Sequence, residues 1–399
     1  MRTLTTAEAA ARLGVKPQTV YAYVSRGLLR SWRGPDGRSS VLDAAEVERL
    51  AARTAGTHRR EGAGYTVRTR ITLLDGRRLW YRGRDAAELA GATPFEEVAG
   101  LLWTERPDAL ALLGPAPAVE VARAAVMPLP PTARPVDLLK VIAAAAATAD
   151  PLRVDLDPGA VVATASRLVG TLVDALPYAH TGRWPAVEPA GPVAARLWPR
   201  LTLRPATPAA VALLDAVLVL LADHELAAST LAARVAASTR ADPYAVVGAA
   251  LGVLDGPLHG AASQEAYALL TDAMATGAEA AVAARLAAGR PLAGFGHAVY
   301  RDGDPRATRL FALLEGAPAG TLDRMALVAA RNLIAGAGQR LPTVDLALAT
   351  FAAGADMVHG APLAIFAIAR TAGWLAHAIE EYAEPPHRFR PRAVYVGDT

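Results

Sequence analysis

The sequence predicts a mostly α-helical chain made of a small basic head and a long helical body. Three observations predict it. The first 60 residues carry 11 basic against 5 acidic residues and two short amphipathic helices separated by a glycine. The remaining chain is close to neutral and rich in alanine and leucine, with apolar residues recurring mainly at helical spacing. Between them, residues 54–64 (TAGTHRREGAG) are polar, glycine-bearing and without periodicity, as a linker is.

Composition bounds the answer further. With 399 residues, 53% hydrophobic and 20% charged, the chain can bury a large core and is expected to hold two or three domains. It has no cysteine, which excludes disulfides, thiolate metal sites and cysteine nucleophiles. The opening MRTLTTAEAA lacks a long apolar region, and the apolar run 209–222 is interrupted by Asp215 and too short to span a bilayer. A cytoplasmic location without membrane contact is the expectation. Lys16 and Lys140 are the only lysines, so arginine supplies nearly all the positive charge. The head carries a net charge of +6 and the rest −3, which places the basic surface at one end, as in a nucleic-acid-binding module attached to a neutral body.

Within the head, Thr5-Thr6-Ala7-Glu8 has the spacing of a capping box, and Ala9, Ala10, Leu13 and Val15 follow it. A short helix ends at Gly14. Pro17 starts a second helix with Val20, Tyr21, Val24 and Leu28 at helical spacing, closed by Arg26-Gly27. Gly34-Pro35-Asp36-Gly37-Arg38 reads as a hairpin turn, and Asp43 as the cap of a third helix holding Val47 and Leu50. The pattern TTAEAAARLGVKPQTVYAYVSRGLL followed by GPDGRSS resembles the winged helix-turn-helix of the MerR and excisionase families, over residues 1–53. That resemblance implies DNA as a partner. Gln18, Thr19, Tyr21, Tyr23 and Arg26 would lie on or near the helix entering the major groove, with Arg33 and Arg38 on phosphates. A docking or dimerisation module without DNA is the alternative.

The body opens with strand-like alternation over residues 65–80 around the turn Asp75-Gly76, ended by Tyr81-Arg82-Gly83. Thr93-Pro94 then starts a helix that buries Val98, Leu101 and Leu102. Residues 109–203 hold helices, such as 136–149, broken by proline-rich turns, and no recognisable chemistry. No P-loop, GxGxxG or GxSxG motif occurs. Histidines 224, 259 and 297 are too far apart in sequence for a typical zinc site, so no metal is expected.

What remains is a set of polar residues inside apolar helices: Asp223-His224-Glu225, His259 in GPLHGAAS, His297 and Arg306 in GFGHAVYRDGDPRA, Asp345 in PTVDLAL, Arg370 in FAIARTAGW, and Arg390 in RPRAVY. Glycines 294 and 296 let the backbone approach a ligand, and the bend at Asp304-Pro305 allows His297 and Arg306 to face one pocket. Buried guanidinium groups are costly unless paired, so several of them entering an apolar core imply carboxylate partners or an anionic ligand. A dicarboxylate suits their planar, bidentate geometry.

The motifs ADHELAASTLAARVAAST, GPLHGAAS, GFGHAVYRDGDPRA, PTVD, FAIARTAGWLAHAIE and RPRAVYVG occur in the order and at the approximate separations of the citrate synthase family. The resemblance covers residues 65–399 and implies a two-domain helical fold, the small domain inserted at roughly 250–350, in a homodimer. It implies condensation of acetyl-CoA with oxaloacetate to citrate and CoA, the tricarboxylic acid cycle reaction, with acetyl-CoA as substrate and no cofactor. By position, His224, His297, Arg306 and Arg370 match oxaloacetate ligands, and Arg390 the arginine supplied across the dimer. His259 and Asp345 match the groups that enolise acetyl-CoA. Three departures, Ser263 for asparagine, Ala298 for arginine or proline and Leu346 for phenylalanine, bear on the acyl-CoA side. The alternatives are a 2-methylcitrate synthase using propionyl-CoA, and a DNA-binding regulator whose body senses a metabolite. Read singly, Asp345 could equally occupy the first turn of a helix, His224 and His259 the core, and Arg390 a tail.

Overall fold

A computed structural model describes residues 3–13, 17–25, 28–34, 40–44, 46–47, 66–179, 181–185, 190–390, 393 and 395–397. Contacts divide the chain into two units, Met1–Arg68 and Thr69–Thr399. The expected linker 54–64 lies outside the described residues.

In the head, the capping box forms: Glu8 N donates to Thr5 Oγ1 at 3.2 Å, and Thr5 N donates to Glu8 Oε2 at 2.8 Å. It starts the helix Thr6–Leu13, and Pro17–Ser25 follows as the second helix. The strands β1 (Thr3–Thr5), β2 (Ser31–Arg33) and β3 (Ser40–Asp43) form an antiparallel sheet in the order β1-β3-β2. β2 and β3 flank the expected hairpin turn, whose residues 35–39 lie outside the described set. Two expectations need correction. Tyr21 and Leu28, read as an apolar helix face, are 59% and 54% exposed, and Leu29 takes a core position beside Val20. The core comprises Ala9, Ala10, Leu13, Val20, Leu29, Leu42 and Val47.

The body starts with β4 (Thr72–Leu74), β5 (Leu79–Tyr81) and β6 (Arg84–Asp85). Asp75 holds the first turn by accepting from Arg77 N, Arg78 N and Trp80 Nε1 at 2.7–3.0 Å. Tyr81-Arg82-Gly83, expected to end the strands, is a second tight turn with positive φ at Arg82 and Gly83, and β6 returns from it. The prolines that break up the sequence mostly begin helices. Pro158–Asp174, Pro208–Leu221, Pro243–Leu254 and Pro305–Gly316 each have proline in the first turn behind an Asp or Thr whose side chain accepts a backbone N–H. Proline at that position lacks only a donor that the helix could not use.

Ala228–Ser238, Pro243–Leu254, Pro208–Leu221, Pro158–Asp174, Phe95–Thr104 and Pro135–Thr148 pack around Ala361–Tyr382, which is buried along nearly its whole length. That helix is long and apolar enough to cross a bilayer, but 94% of its apolar window is buried against protein. Alanine along it keeps the contacts close. A second, smaller core joins Ala262–Thr276, Ala278–Ala287, Arg324–Gly336 and Val344–Gly354 through Leu269, Leu270, Ala281, Leu333, Leu346 and Ala349. Val344 belongs to the larger core and Leu346 to the smaller, so Asp345 sits at their seam.

Candidate active site

The Asp223-His224-Glu225 turn follows the end of Pro208–Leu221. The buried Tyr81 hydroxyl grips it, donating toward the carbonyl oxygens of Val219, Leu220 and Asp223 and accepting from Asp223 N at 3.2 Å. Asp223 Oδ2 accepts from Glu225 N at 3.0 Å, with Glu225 in the left-handed region at φ 52°. His224 thereby faces Tyr300, its Nε2 3.1 Å from the phenol oxygen. The ring centroids of His224 and His297 lie 5.4 Å apart, edge to face.

His297 arrives on the glycine loop, where Gly294 and Gly296 have φ of 86° and 77°. A Cβ on Gly294 would come within 2.9 Å of Leu346 Cβ, so only glycine lets the loop lie so close to the Asp345 helix. The same loop pairs with the strand-like residues before that helix: Gly296 N donates to Leu341 O and Thr343 N to Gly294 O, at 2.9 and 2.8 Å. His297 Nδ1 accepts from the backbone N–H groups of Val299 and Tyr300, which assigns the proton of a neutral ring to Nε2. Nε2 lies 3.4 Å from Arg306 Nη2. Two donors facing each other at that distance make a place for an acceptor oxygen that both can reach.

Asp304, read in the sequence only as a bend, holds this half of the site. It caps Pro305–Gly316, accepts Arg306 N and Nε at Oδ1 and Arg306 Nη2 at Oδ2, and also receives Val344 N at 2.9 Å. Buried beside Asp304, the Arg306 guanidinium is held firmly charged. One carboxylate thus joins Arg306 to the first turn of the Asp345 helix. Thr343 caps that helix and shares its hydroxyl with Asp345, accepting Asp345 N and donating to Oδ2 at 3.1 Å. Burial raises the Asp345 carboxyl above the usual range, against the pull of Arg306 and the Thr343 hydrogen bond. Raising a carboxylate makes it a better base.

His259 lies after Pro243–Leu254, with Nε2 2.7 Å from Ser229 Oγ. Ser229 N–H also donates to Nε2, at 3.4 Å, and its hydroxyl accepts from Trp374 Nε1 at 3.2 Å, so Nε2 is the accepting nitrogen and the ring carries its proton on Nδ1. Burial, then the charge of Arg370, lower the His259 pKa to about 4 and keep the ring neutral. Arg370 itself comes from mid-helix. Its Nε caps the Pro208–Leu221 helix at Leu221 O, its guanidinium stacks 4.6 Å over Phe366, and its Nη2 is buried without a hydrogen-bond partner. Burial lowers its pKa to about 10.

These groups feel one another. Burial drives the His224 pKa well down, and Arg306, Arg370, His297 and His259 all push in the same direction. Arg306 acts on Asp345 as well. Of the seven body residues matched to site roles, six gather here: His224 and His297 face each other beside Arg306, Asp304 joins Arg306 to the Asp345 helix, and His259 and Arg370 both pack on Phe366. Beside it opens a cleft of about 310 Å³ lined by Gly296, His297, Tyr300, Arg301, Asp304 and Arg340 among others. Among the described residues, no group of three or more His, Asp or Glu is placed to hold a metal ion. Arg390 is exposed in the segment after the last helix, and none of the polar contacts described for the cluster involves it.

The family profile for the citrate synthase C-terminal domain matches residues 63–392. The chain belongs to the citrate synthase family. A citrate synthase of Synechocystis sp. is 33% identical over 354 residues, covering 83% of this chain and 89% of that one. With citrate synthase 2 of Bacillus subtilis the match is 35% over 195 residues, and this chain spans about half (52%) of that relative's length. The ternary complex of the Thermoplasma acidophilum citrate synthase with carboxymethyl coenzyme A and oxaloacetate superposes with a TM-score of 0.70 at 26% identity, over 86% of this chain and 96% of that one. The Pyrobaculum aerophilum citrate synthase gives 0.68 at 26%, over 92% and 95%. A helix-turn-helix profile matches residues 3–55.

In that head, Gln18 and Tyr21 are exposed on the second helix and Thr19 is half-buried, while Tyr23 packs partly against the head core. Arg33 is exposed on β2, and Arg26 and Arg38 lie outside the described residues. Sequence reasoning missed Tyr300, Asp304 and Ser229 as parts of this cluster. Tyr300 hydrogen bonds to His224, packs 4.8 Å from the His297 ring and lies beneath the Arg306 guanidinium at 5.7 Å. Its position inside GFGHAVYRDGDPRA was the only signal. Replacing Tyr300 with phenylalanine keeps the packing and removes one hydrogen bond. The KM for oxaloacetate is expected to rise about three- to tenfold with the KM for acyl-CoA unchanged; equal effects on both in steady-state assays would give the hydroxyl no selective part.

Proposed function

We propose that the chain condenses acetyl-CoA with oxaloacetate to give citrate and CoA. The observation that carries the reading is the meeting of His297 Nε2 and Arg306 Nη2, 3.4 Å apart beside His224 and Tyr300, with Asp304 joining Arg306 to the first turn of the Asp345 helix and with Arg370 and His259 both packed on Phe366. Arg306 and Arg370 take the two carboxylates of oxaloacetate, with Arg390 of a second subunit completing the site in a homodimer. His297 Nε2–H donates to the ketone oxygen and draws charge from the carbon to be attacked.

Asp345 removes a proton from the acetyl methyl group while His259 Nδ1–H donates to the thioester oxygen, so charge never develops on an unsupported enolate. The enol carbon attacks the ketone carbon and the new alkoxide is protonated from the His297 side. Water then cleaves the citryl thioester, releasing CoA and citrate. The arginines that rim the adjacent cleft, Arg301 and Arg340, suit the phosphates of CoA. No metal or prosthetic group enters the scheme, and the protein would act in the cytoplasm.

The test is release of free thiol from acetyl-CoA and from propionyl-CoA, with and without oxaloacetate. Oxaloacetate-dependent release is expected, and faster release from propionyl-CoA would make the protein a 2-methylcitrate synthase. A second reading concerns the head. Exposed Gln18 and Tyr21 on its second helix, with Arg33 on the wing strand, favour DNA binding by residues 1–53. Oxaloacetate binding without thiol release would leave a metabolite-sensing regulator.

A further inference from the structure

A line of buried polar contacts runs from the His224 turn to the segment that carries Arg390. Asp223 Oδ2 accepts from His377 Nε2 at 3.3 Å, and His377 Nδ1 accepts from Arg234 Nε at 2.9 Å. Arg234 donates Nη1 to Glu381 at 2.9 Å and Nη2 to Glu380. Both Glu381 oxygens also receive Arg388, from Nε and Nη2 at 2.5 Å each. Asp223, Arg234, His377 and Glu381 are fully buried.

The last link differs in kind from the others. Residues 383–387 and Arg390 are largely exposed, and within this stretch Arg388 turns its charge inward onto a buried carboxylate. His387 N, tied to Ser238 O at 2.9 Å, fixes the chain just before it. Two residues of extended chain span at most about 7 Å, so the position of Arg388 limits where Arg390 can reach. A bidentate guanidinium–carboxylate pair fixes orientation as well as distance, which a single-donor contact does not.

We propose that Arg388 is a positioning residue: by clamping Glu381 it sets the reach of Arg390 into the oxaloacetate site of the second subunit. The contacts through Arg234, His377 and Asp223 tie that anchor to the turn holding His224. The proposal rests on the reading of Arg390 given above. Loss of Arg388 leaves Glu381 paired with Arg234, so a substitution there removes the clamp without stranding a buried charge.

The experiment compares Arg388→Gln, Arg388→Lys and Arg390→Gln in the full chain, by steady-state kinetics and light scattering. Arg388→Gln is expected to raise the KM for oxaloacetate about tenfold, leaving kcat and the KM for acetyl-CoA within about twofold and the dimer intact. Arg388→Lys should recover part of the loss, and Arg390→Gln should match or exceed it. An unchanged oxaloacetate KM in Arg388→Gln beside a raised one in Arg390→Gln would overturn the clamp alone. Unchanged values in both would overturn the reading of Arg390 and the proposal with it. A uniform loss across all parameters, not relieved by lysine, would make Arg388 a structural residue and also overturn it.

Discussion

Replacing Asp345 with asparagine should abolish turnover while the fold and the affinity for oxaloacetate persist. Asparagine has the same shape and can still accept from the Thr343 hydroxyl, so the first turn of the helix keeps its cap. What disappears is the only function that asparagine cannot supply, removal of a proton from a very weakly acidic methyl group. General-base catalysis is worth about 10²- to 10⁴-fold, and a fall in kcat of at least about 10³ is expected. The carboxyl titrates above its ordinary range, and only its ionised form is a base. In the unmodified protein, therefore, the rate should fall as pH drops through that raised value. Thiol release measured with saturating oxaloacetate gives the answer; turnover within about tenfold of the unmodified protein would remove Asp345 as the base.

Arg234→Met should destabilise the fold severely, far more than Asp345→Asn or Tyr300→Phe. Its guanidinium is fully buried and bonds Glu380, Glu381 and His377 at once. Methionine fills the space but leaves Glu380 and His377 Nδ1 without the guanidinium and Glu381 with Arg388 alone, a loss of about 3–5 kcal/mol. Against a total stability of about 5–15 kcal/mol, that is a large fraction. Thermal unfolding followed by circular dichroism reads it directly. The double change Arg234→Met with Glu380→Gln should recover part of the loss, because Glu381 keeps Arg388 while Glu380 is the carboxylate that the first substitution left without a charged partner. If the double variant is less stable than the single one, packing rather than charge is what Arg234 provides.

Local grammar was legible in the sequence where its partners are close by. Thr5 and Glu8 are three residues apart and cap each other as their spacing implies. The Asp75-Gly76 turn and the prolines that open helices are similarly local. β1 was not legible, because three residues pair with β3 almost forty positions later, and nothing in their own pattern marks them. The site divides in the same way. His297 and Arg306 could be placed together because one loop delivers both. Ser229 was silent, since its meaning lies in a hydrogen bond to His259 thirty residues away and another to Trp374. Nothing in the local pattern marks Glu380 and Glu381, since what distinguishes them is pairing with Arg234 from another helix, Glu381 fully buried and Glu380 partly so.

The Asp304 carboxylate bears on how tightly a ligand can be held. A free arginine side chain samples many rotamers, and immobilising one costs up to about 2 kcal/mol of entropy. Arg306 is already locked by two side-chain hydrogen bonds to Asp304, which is itself fixed by two backbone N–H groups. That disorder is lost when the chain folds, not when an anion arrives. A carboxylate meeting this guanidinium keeps more of its interaction energy as affinity, and meets it in one orientation.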